Sequence, residues 1–257
     1  MLELKEIYKT YNPGTVSEHK LFEGLSLTIG DGSFVSVVGS NGSGKTSLLN
    51  LICGTIPADR GQILIGSQDI TKQKDYVRHR IVGRVYQDPA RGTCPSMTIL
   101  ENLALADNKG RHYSLGRCVN RNRTGAYREM LAPLGLGLED KLHTKVGTLS
   151  GGQRQALAML MATMTPIDFL ILDEHTAALD PKTAEVIMEL TDQIVRAKQV
   201  TTIMVTHNLR YAVSYGDRIL MMHEGQVILD KDGEEKEQLD TDSIMDIFNR
   251  ISVECGN

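Results

Sequence analysis

The stretch Gly39-Ser-Asn-Gly-Ser-Gly-Lys-Thr46 decides the fold of this 257-residue chain. It fits the pattern G-x-x-x-x-G-K-[S/T], and it lies between an apolar, β-branched run at 33–38 and a helical pattern at 45–53 that Gly54 is predicted to end. Glycines let the backbone curl so that its N–H groups point at phosphate oxygens, and the helix N-terminus adds partial positive charge. The stretch therefore predicts a nucleotide phosphate site in an α/β fold.

The side chains of this loop suggest how the phosphates are held. Lys45 is expected to neutralise the β- and γ-phosphates, and the Thr46 hydroxyl is expected to ligate Mg²⁺. The predicted nucleotide-binding residues here are Gly39, Ser40, Asn41, Gly42, Ser43, Gly44, Lys45, Thr46 and Ser47.

A second motif, Phe169-Leu-Ile-Leu-Asp-Glu174, is an apolar strand that ends in two carboxylates. Ligands bind at the carboxyl ends of strands in open α/β sheets, so Asp173 is placed to hold Mg²⁺, directly or through water. Glu174 is then placed to polarise a water for attack on the γ-phosphate. The Asn-Lys-x-Asp motif that reads guanine in Ras-like GTPases does not occur in the sequence, which favours ATP over GTP.

Strand and helix signals alternate along most of the chain, which predicts a largely parallel sheet. We expect a strand at 201–205, a helix at 181–196 and a hairpin at 218–230 that turns at Glu224-Gly225. From about 98 to 165 the pattern is helical, and we predict a helical subdomain there, inserted into a core formed by about 1–97 and 166–257 of one 257-residue domain.

Composition excludes several classes of protein. The chain has 28 basic and 32 acidic residues, a net charge of −4, which argues against a general nucleic-acid binder. Its longest apolar run is seven residues, against the ~20 that cross a bilayer, and the N-terminus has no apolar stretch of the secretory kind. The four cysteines are far apart and without metal-ligand spacing, so we expect reduced thiols and a cytoplasmic chain.

The segment Leu149-Ser-Gly-Gly-Gln-Arg-Gln155 supplies a second helix start suited to an anion, more than one ATP needs. A dimer accounts for it if each copy covers the ATP of the other. Here the sequence resembles the ATP-binding cassette (ABC) ATPases, whose signature is LSGGQ, and the resemblance covers nearly the whole chain. It implies an α/β P-loop NTPase core of ABC type, with an inserted helical subdomain and an N-terminal antiparallel β portion.

The resemblance also implies roles for single residues. Gln87, in Val85-Tyr-Gln-Asp-Pro89, matches the glutamine that senses Mg²⁺ and the attacking water, and His207 matches the histidine that touches the γ-phosphate. Asp180 matches a loop that crosses the dimer, and Tyr11 lies where an aromatic ring stacks on adenine, with Tyr8 close by. The residues implied to contact the partner's γ-phosphate are Ser150, Gly151, Gly152 and Gln153. His175 stands where the family often has proline.

What such a cassette does depends on its partners. The resemblance implies a transporter ATPase that forms a homodimer around two ATP and drives a separate membrane permease, on the cytoplasmic face of the membrane. The strings at 84–94 and 173–180 resemble bacterial importer cassettes of the tryptophan or tyrosine type, which work with an extracytoplasmic binding protein. An exporter cassette for lipid, peptide or drug, a cassette acting as a sensor, and a non-transport ABC ATPase remain alternatives. The basic stretch 108–128 is a candidate contact for the permease or for anionic lipid, with solvated surface as the alternative.

Overall fold

The computed structural model describes residues 1–110 and 118–254, which fall into two compact units. The first unit comprises Met1–His79 and Lys198–Asn257, and the second comprises Arg80–Ala197. The helical segment predicted at 98–165 lies wholly inside the second unit, which also contains residues that we assigned to the core. The domain limits given above stay a prediction.

The strands alternate with helices over much of the chain, as the sequence pattern predicts. In chain order the strands are β1 (Leu2–Tyr11), β2 (His19–Ile29), β3 (Phe34–Gly39), β4 (Arg60–Ile65), β5 (Gln68–Asp69), β6 (Val82–Val85), β7 (Phe169–Asp173), β8 (Thr201–Val205), β9 (Arg218–His223) and β10 (Gln226–Asp232). The helices are α1 (Lys45–Cys53), α2 (Asp75–Arg78), α3 (Ile99–Asp107), α4 (Thr124–Leu131), α5 (Gly151–Thr163), α6 (Pro181–Lys198), α7 (Leu209–Ser214), α8 (Gly233–Glu237) and α9 (Thr241–Glu254).

An antiparallel sheet in the order β2-β1-β4-β5 forms the N-terminal part of the first unit. Leu2 on β1 lies opposite Ile29 on β2 and Ile65 on β4, and all three side chains are buried. This alternation of buried and exposed positions is typical of a sheet with one solvated face. The predicted N-terminal antiparallel β portion is therefore confirmed.

The other strands of the first unit run in the order β10-β9-β3-β8. β3 is parallel to β8 and to β9, whereas β10 is antiparallel to β9. Every residue of β3 and β8 is buried, because these β-branched strands are covered on both faces. The mixed α/β fold, the strand at 201–205 and the hairpin at 218–230 are confirmed.

The second unit combines a parallel pair of strands with a helical core. Arg84 on β6 pairs with Ile171 on β7, and Val85 pairs with Leu172. The helices pack through a cluster of apolar side chains that includes Ile99, Leu103, Tyr127, Leu131, Leu138, Leu142, Val146, Leu157, Ile187 and Leu190. α3 begins with a capping box, in which Thr98 and Glu101 satisfy each other's backbone N–H groups.

The far end of α1 is fixed by two local features. Gly54 ends the helix in the left-handed conformation, with φ of 78°, as the sequence predicts. The Arg78 side chain is buried and donates hydrogen bonds to the carbonyl oxygens of Leu51, Ile52, Thr71 and Gln73 at 2.6 to 3.1 Å. The guanidinium thus satisfies Ile52 O and adds a second donor to Leu51 O, which also accepts from Gly54 N–H at 3.2 Å.

The basic stretch 108–128 is only partly described. Arg111 and Arg117 lie outside the described residues, as does the side chain of Arg121. The Arg123 guanidinium contacts the Asp107 carboxylate, with 2.6 Å between Nε and Oδ2, and Arg128 is exposed. Lys109 Nζ donates to Val82 O at 3.5 Å, so two of the described cations, Lys109 and Arg123, contact groups of their own chain. Cys53, Cys94 and Cys118 form no disulfide within the described residues, and Cys255 lies outside them.

Candidate functional site

The glycine loop after β3 is tightly packed where it begins and at Gly44, just before α1. A Cβ on Gly39 would lie 2.3 Å from the Met222 carbonyl oxygen, and one on Gly44 would lie 3.0 Å from the Phe22 ring. Gly44 also has φ of 104°, which L side chains rarely adopt. Between them, a Cβ on Gly42 would meet nothing within 4 Å. The loop is thus fixed at both of these glycines and open between them, where a phosphate would enter.

Lys45 holds the loop in its curled shape. Its Nζ donates to the carbonyl oxygens of Gly39 and Ser40, at 2.8 Å each, and contacts Ser43 Oγ at 3.4 Å. The lysine is buried, so its positive charge lies inside the loop. α1 begins at this lysine, with the side-chain-less Gly44 as its N-cap, so its first N–H groups add to the field that attracts an anion.

Tyr11 lies beside this helix. Its hydroxyl is 2.9 Å from Ser47 Oγ, two residues into α1. Tyr8 instead has the Arg60 guanidinium 4.9 Å from its ring centroid. The structure therefore brings Tyr11 to the phosphate loop and gives Tyr8 another partner, although the contact of Tyr11 with adenine stays a prediction.

His207 is exposed and follows the end of β8. The backbone there is held by Thr206 N–H, which donates to Val37 O at 3.2 Å, and by Asn208, which caps α7. His207 and the loop residues 39–41 line one cavity of about 380 Å³, together with Met245 and Phe248 of α9. The first unit thus brings the predicted histidine and the phosphate loop to a common space.

In the second unit, two strand ends carry the predicted acids and Gln87. β6 and β7 are parallel neighbours, so Gln87 emerges at the same sheet edge as Asp173 and Glu174. Glu174 has φ of 49°, and its carbonyl oxygen accepts from Ala177 N–H at 2.9 Å. A non-glycine residue in the left-handed region marks a turn held by its surroundings, which fixes where the Glu174 side chain starts.

His175 lies directly behind this turn and is buried. Its Nε2 is 3.1 Å from Thr191 Oγ1, and that hydroxyl donates its only proton to Ile187 O at 2.7 Å. Nε2 must therefore carry the imidazole proton and donate it to Thr191. Burial lowers the pKa of His175 from 6.5 to about 4, so the ring is neutral at physiological pH.

The signature segment begins α5 through a capping box. Ser150 Oγ accepts from Gln153 N–H at 3.2 Å, while Gln153 Oε1 accepts from Ser150 N–H at 3.3 Å. The Gln153 amide nitrogen donates in turn to Leu136 O at 3.1 Å. Both ends of the Gln153 side chain are thus engaged inside the chain, which supports a capping role. Its contact with a partner's phosphate stays a prediction.

The two glycines of the signature pack against the segment that follows Glu174. A Cβ on Gly152 would lie 2.3 Å from Thr183 Cγ2, and one on Gly151 would lie 3.2 Å from Leu179 Cδ2. Asp180 precedes α6 and accepts from Thr183 N–H at 3.1 Å. Hydrogen bonds from the Thr183 side chain and backbone lower the pKa of Asp180, so this carboxylate is ionised.

Two residues that the motifs did not single out contact this edge. Arg84 Nη2 donates to Asp173 Oδ2 at 2.6 Å, and Gln155 Nε2 donates to Tyr86 O at 3.2 Å. Arg84 is a charged residue inside the short apolar strand 82–85. Because a buried charge needs a partner of opposite charge, this pattern indicates that Arg84 forms an ion pair. Gln155 is buried on α5, where a polar side chain likewise needs a partner.

Each unit therefore carries part of the predicted site. The first brings together Tyr11, Gly39, Ser40, Asn41, Gly42, Ser43, Gly44, Lys45, Thr46, Ser47 and His207, and the second carries Gln87, Ser150, Gly151, Gly152, Gln153, Asp173, Glu174 and Asp180. The donor set predicted for Mg²⁺, a hydroxyl, an amide oxygen and a carboxylate, consists of the hard oxygen ligands that this ion prefers. The residues present fit the ion.

Comparison with known proteins decides the family. The family model described as "ABC transporter" matches residues 22–177. The chain belongs to the ABC transporter family. A relative named "Tyrosine transport ATP-binding protein", from Clostridioides difficile, is 49% identical to this cassette over 96% of the chain and 98% of the relative. "Spermidine/putrescine import ATP-binding protein PotA" of Mannheimia succiniciproducens is 32% identical over 92% of the cassette, which spans 58% of that longer protein.

A solved cassette gives the same answer for the fold. The dimeric structure of the ATP-binding cassette MJ0796 in a post-hydrolysis state, bound to ADP and Pi, has a TM-score of 0.75 and 30% identity, and covers 90% of this chain and 98% of that one. The predicted P-loop fold of ABC type is confirmed, as is the prediction of an ATPase subunit of an ABC transporter. Within residues 1–110 and 118–254, none of the helices has the length and apolar character that a bilayer crossing needs.

Proposed function

We propose that this chain is the ATP-hydrolysing subunit of a bacterial importer for a small solute such as an aromatic amino acid, with tyrosine as the first candidate. One observation carries the proposal: 49% identity to a tyrosine transport ATP-binding protein, with both chains matched over nearly their whole lengths. Similarity that extends over nearly the whole of both chains supports a related transport role for this cassette. The PotA relative is 32% identical, and this chain spans 58% of its length, so a polyamine is the weaker candidate for the solute.

In the first unit, the residues would bind and orient ATP. The loop N–H groups and Lys45 hold the β- and γ-phosphates, and Tyr11 stacks on adenine. Lys45 already donates to two carbonyls of its own loop, so the cradle has its shape before the nucleotide arrives. His207, which shares a cavity with the start of the loop, donates to the γ-phosphate.

The second unit would supply the hydrolytic groups. Glu174 accepts the proton of the attacking water, and Gln87 orients that water. Gln87 and Asp173, with Thr46 of the first unit, would hold Mg²⁺, which would supply positive charge against the phosphates. The left-handed turn at Glu174 and the neutral His175 behind it fix the start of the catalytic side chain.

A second copy of the chain completes the site. Ser150, Gly151 and Gly152, with the N-terminus of α5, would face the γ-phosphate bound by the partner, and Asp180 would cross between copies. The dimer of MJ0796 supports this assembly. Separation of the two copies after hydrolysis would move a membrane permease, which holds the cassette at the cytoplasmic face of the membrane, and an extracytoplasmic binding protein would deliver the solute. We assign no nucleic-acid partner.

The ATPase part is tested with purified protein. Wild type, Glu174→Gln and Lys45→Ala are compared for ATP binding by calorimetry and for phosphate release. We expect Glu174→Gln to bind ATP but release phosphate at least about 100-fold more slowly, because the general base is lost. Lys45→Ala is expected to lose binding. Normal phosphate release by Glu174→Gln would contradict the role of Glu174.

The transport part is tested in the host. Glu174→Gln protein is purified from detergent-solubilised membranes and its partners are identified by mass spectrometry. A polytopic permease with an extracytoplasmic binding protein is the expected result, whereas ribosomal or DNA-associated partners would contradict a transport role. Uptake of labelled tyrosine, tryptophan and spermidine is then compared between cells with wild type and cells with Lys45→Ala. Loss of tyrosine uptake alone supports the proposed substrate. Export of solute or loss of spermidine uptake alone contradicts it.

A further inference from the structure

The contact between Arg84 and Asp173 places a fixed positive charge on a predicted metal ligand. The two residues lie on the neighbouring strands β6 and β7, and 2.6 Å separates Arg84 Nη2 from Asp173 Oδ2. The side chains are 6% and 16% exposed, so water screens the pair weakly. Such a charge-assisted hydrogen bond is among the stronger contacts in a protein.

The arginine is also oriented from its other side. Its guanidinium carbon lies 4.7 Å from the Tyr86 ring centroid, so the planar group rests on the aromatic face. Arg91 approaches the same ring at 4.9 Å and is exposed. An arginine side chain stays protonated throughout the physiological pH range, so Arg84 keeps its positive charge beside Asp173.

We propose that Arg84 is a positioning residue that holds the Asp173 carboxylate before Mg²⁺ arrives and competes with the ion for it. The proposal rests on the proposed function, because it takes Asp173 as a magnesium ligand. The Arg84 guanidinium and Mg²⁺ would both bind the Asp173 carboxylate, and the two positive charges repel each other when they are close together. The presence of Arg84 therefore reduces the gain in nucleotide affinity that Mg²⁺ provides.

The experiment measures that gain directly. The Kd of ADP is determined by calorimetry in EDTA and again in saturating Mg²⁺. ADP is used because it has no γ-phosphate that hydrolysis could remove during the measurement. The Kd in EDTA divided by the Kd in Mg²⁺ is the magnesium gain. In Arg84→Met we expect the magnesium gain to be about tenfold larger than in wild type, the worth of one charge-assisted hydrogen bond after exchange with water. A purely structural role would change both constants together and leave their ratio unaltered.

Matched variants separate the competing explanations. Arg91→Met removes the other arginine on Tyr86 and is expected to keep the wild-type gain. Arg84→Gln keeps a hydrogen-bond donor for Asp173 but removes the positive charge. If Arg84→Met does not fold, Arg84→Gln replaces it, and we again expect the magnesium gain to be larger than in wild type. In an Asp173→Asn background, Arg84→Met is expected to leave the gain unchanged, because the shared carboxylate is absent.

The outcomes distinguish this proposal from the proposed function. A magnesium gain in Arg84→Met or Arg84→Gln that equals or falls below the wild-type gain overturns the competition, while ADP binding by wild type leaves the ATPase assignment standing. If wild type binds ADP neither with nor without Mg²⁺, both proposals fall.

Discussion

The burial of His175 has a measurable consequence for stability. Burial lowers the pKa of this ring to about 4 in the folded chain, against its ordinary value of 6.5 in the unfolded chain. The unfolded chain therefore binds this proton more tightly. The sign follows from proton linkage: the stabilisation from neutral His175 is fully present above pH 6.5 and is lost as pH falls from 6.5 towards 4.

The magnitude follows from the same two values. Between pH 7 and pH 5, linkage predicts that this one histidine removes about 2 kcal/mol from the free energy of unfolding, at about 1.4 kcal/mol per pKa unit. His175→Gln removes the titrating group and keeps an N–H donor for Thr191 Oγ1. Urea unfolding followed by circular dichroism, in EDTA and without nucleotide, gives the free energy at pH 7, 6 and 5 for both proteins.

The difference between the proteins isolates the histidine from all other titrating groups. Between pH 7 and pH 5, wild type is expected to lose about 2 kcal/mol more than His175→Gln. His143 is exposed, and His143→Gln serves as the matched control that should follow the wild-type curve. Equal losses in wild type and His175→Gln would refute the reasoning, because the ring would then titrate alike in the folded and unfolded chains.

Three further substitutions test the packing around the site. Arg78→Met removes the donor of the buried Ile52 O and of the Thr71 and Gln73 carbonyl oxygens, and we expect urea unfolding to show a loss of about 3 kcal/mol or more. Gly39→Ala puts a Cβ 2.3 Å from Met222 O and displaces the loop, so the Kd of ATP by calorimetry should rise at least about tenfold. Thr98→Ala removes the capping box shared with Glu101, and the free energy of unfolding should fall by about 1 kcal/mol. Unchanged values would contradict each argument in turn.

Local signals were enough to predict the elements that carry the phosphate loop. The helix at 45–53 and its end at Gly54 agree with the structure residue by residue, because a glycine stop acts within one turn. The buried strand at 201–205 agrees equally well, since its β-branched residues have no solvated face. The family resemblance then supplied the roles of residues such as Gln87 and His207, which no local pattern distinguishes from ordinary polar residues.

Side-chain contacts between residues far apart in the sequence could not be predicted from the sequence alone. The pairing of Arg84 with Asp173 depends on the register of β6 against β7, and one sequence does not specify which strands are neighbours. Gln153 is a different case. Ser150 followed three residues later by Gln153 is a capping-box pattern, so the sequence was sufficient to predict a capping role for Gln153. The family resemblance instead implied that Gln153 contacts phosphate.

The position of β3 between β8 and β9 has a consequence for synthesis on the ribosome. Phe34 pairs with Thr202, and Gly39 pairs with Met222, so both neighbours of the strand that precedes the phosphate loop come from far later in the sequence. Residues 80–197 are synthesised after β3 and before β8 and β9, so β3 leaves the ribosome long before either strand that pairs with it. At about 5–20 residues per second, the synthesis of the residues from Gly39 to Met222 takes about 10–40 s, and during that time β3 lacks at least one of its two neighbouring strands. We expect the phosphate loop to gain affinity for nucleotide only after β8 and β9 have been synthesised.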